Sequence, residues 1–376
     1  MTTIASAELI VRKLQLHWSD AREATLLPLF WLRENCRCQE CLHPETRQRL
    51  VNTFCIPREI SARDIRVNAD GRALRITWRE DAHVSDFPAD FLGNLRSDPD
   101  VVPVESETWD KVSFSDSAPQ VPYASYLEED AVLERLLELL ARHGFCFVEG
   151  VPGTPEATQA VARRISYVRE TIFGGYWDFT GNMEHADTAY TSMAIGPHTD
   201  GTYNLDAPGY QMLHCLAAEC TGGENVLIDG FRIAEIMRRE VPEQYRTLTQ
   251  VAIPGQYVDP KRGIHLMARR PLFRLGNSGR LVQVTYNNYD RAPFLIDGPD
   301  DQLFYDGLAT FARLCADERL HYRRRLLPGS ALLFDNWRVL HARDAYTGYR
   351  RVAGAYLNKE DVESRLRVLR RDYGAN

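Results

Sequence analysis

Three residues from two distant segments of the chain provide the ligand set of a non-haem iron site. His198 and Asp200 flank Thr199, and His341 follows an apolar stretch much later in the sequence. Two imidazoles and one carboxylate form the 2-His-1-carboxylate facial triad, which leaves open positions on Fe(II) for a co-substrate and for O₂. A His-x-Asp motif alone occurs by chance in many chains. The second histidine, in an apolar segment of its own, makes the combination more specific.

A basic residue follows the second histidine at a position suited to binding a co-substrate. Arg350 lies on the next predicted strand after His341. A guanidinium pairs with a carboxylate through two parallel, charge-assisted hydrogen bonds. This position suits the distal carboxylate of 2-oxoglutarate, so we predict that Fe(II), 2-oxoglutarate and O₂ act together and that Arg350 binds 2-oxoglutarate.

Three clustered cysteines predict a second metal site. The chain has eight cysteines in 376 residues, which is too few for a disulfide scaffold. Cys36, Cys38 and Cys41 lie close enough to share a Zn²⁺, which thiolates bind well. His43 is nearest as a fourth ligand but would strain the chelate, so we prefer His83; buried free thiols are the alternative. A closed four-ligand site has no vacancy for chemistry, so this Zn(II) is expected to be structural.

Composition and charge limit the classes of partner. The formal net charge is −7, whereas nucleic-acid binding normally concentrates Lys and Arg on one face. No segment approaches the ~20 apolar residues that span a bilayer. The first residues resemble neither a signal peptide nor a transit peptide. We therefore expect a cytoplasmic enzyme that binds neither nucleic acid nor a membrane.

The pattern of the chain predicts a small β domain, a linker and a larger domain. Alternating stretches within residues 1–105 are typical of short strands joined by turns. A polar passage at 106–122 is interpreted as the linker. In 123–376, a helix begins near Glu128 and ends at Gly144, and Thr154 with Pro155 begins a second helix that extends to about residue 168. Strands predominate after that, with helices near 232–240 and 301–317.

This arrangement favours a mainly β fold with flanking helices. The later strand-like runs are apolar and short, and no regular alternation of strand and helix indicates a parallel sheet. We therefore predict a double-stranded β-helix, or jelly roll, as the catalytic domain, together with the small N-terminal zinc-binding β domain. The strand-like runs lie at 210–216, 225–229, 281–286 and 330–334.

Several longer segments stand out, in order along nearly the whole chain. They are Trp31–Cys36, Arg169–Gly174, Asp187–Thr191, His198–Asp200, Thr221–Gly223 with Asp229–Phe231, Tyr286–Ala292 and Asp335–His341. Together these segments resemble the γ-butyrobetaine hydroxylase and trimethyllysine dioxygenase family. The resemblance implies an N-terminal zinc module, a catalytic jelly roll, Fe(II), 2-oxoglutarate and hydroxylation of a small trimethylammonium compound.

The resemblance also assigns an aromatic cage. A quaternary ammonium has no N–H to donate, so a selective site uses the faces of aromatic rings. Phe173, Trp177, Tyr190 and Tyr356 match the cage positions of the family, and Tyr203 lies near the iron motif. Phe173 stands where a tyrosine is more usual, which removes a hydroxyl and keeps the ring face.

The polar end of the substrate decides between several compounds. Asp187 and the pair Asn287 and Asn288 are the candidates to hold that end. An aspartate suits the ammonium of trimethyllysine and disfavours the carboxylate of γ-butyrobetaine. The chain also resembles a bacterial branch that hydroxylates 2-(trimethylammonio)ethylphosphonate, a substrate of organophosphonate catabolism. Arg291, Arg262 or Lys261 could neutralise the dianion of that compound. On resemblance alone we narrowly favour the phosphonate, with trimethyllysine 3-hydroxylation and γ-butyrobetaine hydroxylation as alternatives.

Two other classes of protein stay open at this point. The chain could be a non-catalytic sensor of iron or 2-oxoglutarate, although complete ligands and a cage exceed what sensing needs. It could also be a zinc-dependent interaction protein with an inactive barrel. The N-terminal module offers a docking surface, so we expect a homodimer, the most common soluble assembly.

Overall fold

The chain divides into two compact units, which are described separately. A computed structural model describes residues 2–20, 22–93, 95, 104–115, 117–179, 191–296 and 301–370. One unit consists mainly of Met1–Ser97 and the other of Asp98–Arg371. The predicted boundaries at 105 and 122 stay predictions.

The first unit contains two small antiparallel sheets. Strand β2 alternates buried Leu14, Leu16 and Trp18 with more exposed residues, and β5 does the same with Leu74, Ile76 and Trp78. These inward faces form one hydrophobic core, as a period of two along each strand requires. The sheet orders are β1-β2-β3 and β4-β5-β6. The elements are β1 (Ile4–Ile10), β2 (Lys13–Trp18), β3 (Thr25–Pro28), α1 (Leu29–Glu34), a 3-10 turn (Thr53–Cys55), β4 (Ala62–Val67), β5 (Ala73–Trp78), β6 (Val84–Pro88) and α2 (Ala89–Gly93).

The helices of the second unit begin and end at residues with clear local signals. Gly144, with φ of 80°, ends α4 in the left-handed conformation that glycine adopts without strain. The Thr154 hydroxyl accepts a hydrogen bond from the Ala157 N–H and caps α5. The helices are α3 (Tyr123–Glu128), α4 (Asp130–His143), α5 (Pro155–Ile165), α6 (Gly230–Glu240), α7 (Pro242–Gln250), α8 (Asp301–Cys315), α9 (Lys359–Leu369) and a 3-10 turn at Glu318–Leu320.

The strands of the second unit form two main sheets. The larger has the order β10-β21-β12-β19-β8-β7, with β9 also paired to β21, and the smaller has the order β11-β20-β13-β18. Two hairpins, β14-β15 and β16-β17, accompany them. The strands are β7 (Gln120–Pro122), β8 (Phe145–Glu149), β9 (Val168–Arg169), β10 (Tyr176–Phe179), β11 (Ile195–His198), β12 (Tyr210–Gly222), β13 (Asn225–Asp229), β14 (Ile253–Asp259), β15 (Ile264–Arg270), β16 (Phe273–Leu275), β17 (Leu281–Val284), β18 (His321–Arg324), β19 (Ser330–Asp335), β20 (Val339–Arg343) and β21 (Tyr346–Leu357).

The two sheets pack on each other as in a jelly roll. Phe147 and Phe334 from the larger sheet share a buried cluster with Leu227 and Val339 from the smaller sheet. Helices α4 and α5 cover the outer face of the larger sheet, and α6 and α8 cover that of the smaller. The predicted fold class, mainly β with flanking helices and a jelly-roll catalytic domain, is confirmed.

Some elements differ from the sequence expectation. Strand β12 continues to Gly222 because it pairs with β21 over its whole length. Helix α5 ends at Ile165, three residues before the predicted end at 168. Within the predicted linker, Trp109 is buried against Phe145, so this segment packs as part of the second unit. No helix in the described ranges has the length and apolar character that a membrane crossing requires.

Candidate active site

The three predicted iron ligands lie together at the open end of the smaller sheet. His198 ends β11 and lies opposite His341 of β20 in the strand pairing. The ligand atoms of these two residues and of Asp200 all lie within 4.8 Å of one another. Asp200 Oδ1 is 3.3 Å from His198 Nε2, and Asp200 Oδ2 is 3.8 Å from His341 Nε2. Two imidazoles and one carboxylate facing one point fit Fe(II) in a 2-His-1-carboxylate site.

A buried asparagine fixes the backbone of Asp200. Asn336 is 1% exposed, and its Oδ1 accepts a hydrogen bond from the Asp200 N–H at 2.8 Å. Its Nδ2 donates to the carbonyls of Asp200 and Pro208, at 3.0 and 2.9 Å. The turn that precedes His341 therefore holds the loop that carries Asp200.

Burial and mutual proximity set the protonation of the triad. Burial, with a further contribution from the neighbouring His198, lowers the pKa of His341 to about 3. Burial alone would raise the pKa of Asp200, but the two imidazoles and the Tyr356 hydroxyl outweigh it and hold that pKa well below its usual range. The site thus presents a neutral His341 and an anionic carboxylate, the forms in which these groups bind metals.

A cavity of about 280 Å³ extends from the triad towards Arg350. Arg350, Val352 and Tyr356 lie on one face of β21, because side chains two apart along a strand point the same way, and all three line the cavity. Arg350 is 7% exposed, and no carboxylate pairs with it in the described part of the chain. Its guanidinium is therefore placed to bind an incoming carboxylate, as predicted for 2-oxoglutarate.

Two further residues near Arg350 were not predicted from the sequence. Asn225 begins β13 and lines the cavity, and its buried Nδ2 has no hydrogen-bond partner among the described residues. This amide can donate to a carboxylate bound by Arg350. Arg343 also lines the cavity and donates to the carbonyls of Thr191 and Met193. The sequence signal for Asn225 was weak, because it begins a predicted strand and no motif marks that position as a binding residue.

Four aromatic residues form one side of the same cavity, here called the aromatic wall: Phe173, Tyr203, Tyr257 and Tyr356. The Tyr203 and Tyr257 ring centroids are 5.3 Å apart, and those of Phe173 and Tyr257 are 6.4 Å apart. Three of the four were predicted, and Tyr257 was not. Tyr257 lies on the hairpin strand β14, which had no motif to mark it.

Trp177 lies behind the aromatic wall and is 3% exposed. Its ring stacks on Phe179 at 4.4 Å and lies 5.8 Å from Tyr356. It packs over Gly354 of β21, where a Cβ would overlap the indole. Phe179 lines the cavity and Trp177 does not. The predicted role of Trp177 as a cage face stays a prediction.

The segment after β17 supplies the polar side of the cavity. Asn287, Tyr289 and Asp290 line it. Asn287 Nδ2 donates to Asp290 Oδ2 at 2.8 Å, and Thr202 Oγ1 lies 3.5 Å from the same oxygen. Asp290 was not predicted as a site residue, although it lies within the segment that carried the family resemblance.

Other predicted substrate residues lie elsewhere. Asn288 lines a second cavity of about 300 Å³ together with Arg291 and Tyr305. Arg262 and Lys261 do not line the active-site cavity. Asp187 and Tyr190 lie outside the described residues.

The cysteine cluster of the first unit matches a zinc donor set. His83 Nε2 lies 3.2 Å from Cys36 Sγ and 3.5 Å from both Cys38 Sγ and Cys41 Sγ. Burial, followed by the charge of neighbouring Cys36, raises the pKa of the Cys41 thiol to about 12, so binding of Zn²⁺ would release a proton there. His43 does not join this group: its Nδ1 accepts from the N–H groups of Glu45 and Thr46 in a turn. Three thiolates and one imidazole could hold one Zn²⁺.

Both units match known families. Residues 110–356 match the taurine catabolism dioxygenase TauD, TfdA family. Residues 10–93 match the gamma-butyrobetaine hydroxylase-like N-terminal family. The first range contains the iron triad and Arg350, and the second contains the cysteine cluster with His83.

Individual proteins are similar over most of the chain. Trimethyllysine dioxygenase of Meyerozyma guilliermondii is 35% identical over 358 residues, which cover 90% of this chain and 89% of that protein. Gamma-butyrobetaine dioxygenase of Pseudomonas sp. strain AK-1 is 30% identical over 380 residues, which cover 99% and 97%. A taurine dioxygenase from Burkholderia xenovorans has a similar fold, with a TM-score of 0.50 at 16% identity over 66% of this chain and 90% of that one.

Proposed function

The chain belongs to the TauD, TfdA family of dioxygenases, and on this premise we propose that it hydroxylates a trimethylated amino acid of the trimethyllysine type. The enzyme uses Fe(II), 2-oxoglutarate and O₂, the chemistry of its family. The substrate proposal depends chiefly on one observation: a single cavity contains the iron triad, the aromatic wall and the carboxylate of Asp290.

The aromatic wall supports a trimethylammonium group as one end of the substrate. Such a cation has no N–H to donate, and its recognition depends on ring faces within about 6 Å, each contributing ~0.5–2 kcal/mol. The aromatic wall provides four rings on the same cavity as the triad. The relatives named above act, by their names, on trimethyllysine and γ-butyrobetaine, which both carry this group.

Asp290 supports an ammonium as a second charged group of the substrate. The α-amino group of trimethyllysine is a cation that a carboxylate attracts, whereas γ-butyrobetaine offers only a carboxylate there. Asn287, bound to Asp290 at 2.8 Å, has an amide suited to a polar group beside that ammonium.

The phosphonate favoured by the sequence receives less support from this lining. A phosphonate dianion beside Asp290 would be repelled unless a cation compensated. Among the described lining residues the arginines are Arg343 and Arg350. Arg350 is assigned to 2-oxoglutarate, and Arg343 donates to two backbone carbonyls. The proposed preference is therefore trimethyllysine first, with γ-butyrobetaine and the phosphonate as poorer substrates.

The side chains of the protein bind and orient the reactants, while the bound metal and co-substrates would carry out the oxidation. Fe(II) with 2-oxoglutarate and O₂ supplies the power to hydroxylate an unactivated C–H bond. His198, Asp200 and His341 would hold the metal, and Arg350 with Asn225 would hold 2-oxoglutarate. The aromatic wall and Asp290 would bind the two cationic groups of the substrate and so hold it in one orientation towards the metal. The alternatives of a non-catalytic sensor or an interaction protein do not fit a family of dioxygenases. Homodimer formation and a cytoplasmic location stay predictions.

Succinate release tests this proposal. Purified protein with Fe(II) and 2-oxoglutarate is assayed with trimethyllysine, γ-butyrobetaine and 2-(trimethylammonio)ethylphosphonate in parallel. We expect the largest kcat/KM with trimethyllysine. Stimulation by none of the three would refute the trimethylammonium class, and a preference for the phosphonate would refute the role given to Asp290.

A further inference from the structure

Tyr356 contributes to the substrate cavity and to the iron site at the same time. Its ring belongs to the aromatic wall, and its hydroxyl donates to Asp200 Oδ2 at 2.7 Å. The side chain is buried, at 6% exposure. The sequence analysis predicted Tyr356 only as one aromatic ring of the substrate cage.

We propose that the hydroxyl of Tyr356 is a positioning group for the iron ligand Asp200, and that this role is separable from the contact of its ring with the substrate. The hydroxyl part depends on the iron triad alone. The ring part rests on the proposed trimethylammonium substrate.

The contacts of Asp200 divide between backbone and side chain. Asn336 holds the backbone N–H and carbonyl, and these two contacts do not restrain rotation of the carboxylate about its side-chain bonds. Tyr356 restrains that rotation, because its O–H donates to one carboxylate oxygen. The other oxygen, Oδ1, lies 3.3 Å from His198 Nε2.

The hydrogen bond also distinguishes the two oxygens chemically. An oxygen that accepts a charge-assisted O–H bond has a lone pair already engaged and is a poorer metal ligand. Oδ2 is therefore disfavoured as a second ligand atom, and Asp200 is expected to bind through Oδ1. A carboxylate that binds through one oxygen leaves more positions on the metal for 2-oxoglutarate and O₂.

The tyrosine is itself fixed by the larger sheet. Tyr356 lies opposite Gln211 in the pairing of β21 with β12, and Gln211 Nε2 is 3.5 Å from the tyrosine oxygen. Gln211 is 4% exposed. A hydroxyl held from a rigid strand suits a positioning role, since orienting groups act best when their own position is fixed.

Mn(II) binding to the iron-free, zinc-loaded protein, measured by the electron paramagnetic resonance signal of free Mn(II), tests the hydroxyl without turnover. We expect Tyr356→Phe to weaken Mn(II) binding ~10-fold, the usual effect of losing an outer-shell partner of a metal ligand. The matched control is Tyr203→Phe, which removes a hydroxyl from another ring of the same wall; it should leave Mn(II) affinity unchanged. Thermal unfolding of both variants verifies that they fold.

The outcomes separate this inference from the proposed function. Equal Mn(II) affinity in wild type, Tyr356→Phe and Tyr203→Phe would overturn it, as would equal losses in the two variants. In turnover, Tyr356→Phe should keep the KM for the trimethylammonium substrate within about twofold, since the ring remains, and should release more succinate per hydroxylated product. A Mn(II) defect in a protein that oxidises no trimethylammonium compound would sustain the hydroxyl part and refute only the ring part.

Discussion

Replacement of Asp290 by asparagine tests whether this carboxylate attracts the cationic group of the substrate. The change keeps the size of the side chain and removes one negative charge from the cavity. Two unit charges 4 Å apart interact by ~4 kcal/mol at an effective dielectric constant of 20. Asp290 is half-buried and already accepts a hydrogen bond from Asn287. We therefore expect its interaction energy with the substrate ammonium to be about half of that value.

A loss of ~2 kcal/mol corresponds to a decrease of about 30-fold in kcat/KM for trimethyllysine. The same change should raise kcat/KM for γ-butyrobetaine and for 2-(trimethylammonio)ethylphosphonate, because it removes repulsion of their anionic ends. The direction of the effect must therefore differ between the cationic and the anionic substrates. Succinate release with all three compounds, at saturating 2-oxoglutarate, measures both effects in one experiment.

The matched control is Asp306→Asn, which makes the same charge change at an exposed position on α8. It should leave all three kcat/KM values within twofold. If Asp290→Asn and Asp306→Asn change the three kcat/KM values alike, Asp290 does not bind the substrate ammonium. The same conclusion follows if Asp290→Asn lowers all three values equally.

Three other changes test the remaining sites. Asn225→Ala should raise the KM for 2-oxoglutarate ~10-fold through loss of one donor to a buried carboxylate, with no change in the KM for the trimethylammonium substrate; steady-state kinetics check both. Cys38→Ser should lower bound zinc from about one ion per chain towards zero, measured by mass spectrometry of the metal, and should lower the unfolding temperature of the first unit. Undiminished zinc in this variant would contradict the ligand set. Gly354→Ala should destabilise the protein by ~2 kcal/mol because the new Cβ overlaps the Trp177 ring. Calorimetry should show this loss, while Gly175→Ala, whose Cβ would meet only Val168 at 3.6 Å, should not.

Local signals were sufficient to predict many elements and both metal sites. Gly144 and Thr154 marked helix ends because their backbone and capping preferences act within one turn. His198 and Asp200 were recognisable because their types have few other uses at that spacing beside a strand. The hairpin β14-β15 and helix α7 escaped prediction although Pro260 and Gly263 lie in the hairpin turn and Pro242 begins the helix. Proline and glycine occur in many kinds of loop, and neither segment has a strong hydrophobic period.

The sequence by itself determined the residue types on which the proposed chemistry depends: two imidazoles and a carboxylate that would hold iron, an arginine that would bind 2-oxoglutarate, and three thiols with an imidazole that would hold zinc. These follow from residue type, which sets charge and ligand preference wherever the residue lies. Only the tertiary structure decided which side chains share the cavity. The pairing of β10, β21 and β12 places Trp177 behind the aromatic wall and the Tyr356 hydroxyl on Asp200. The loop after β17 directs Asp290 into the active site and Asn288 into another cavity. Such placements depend on contacts between residues far apart in the chain, so no local pattern could reveal them.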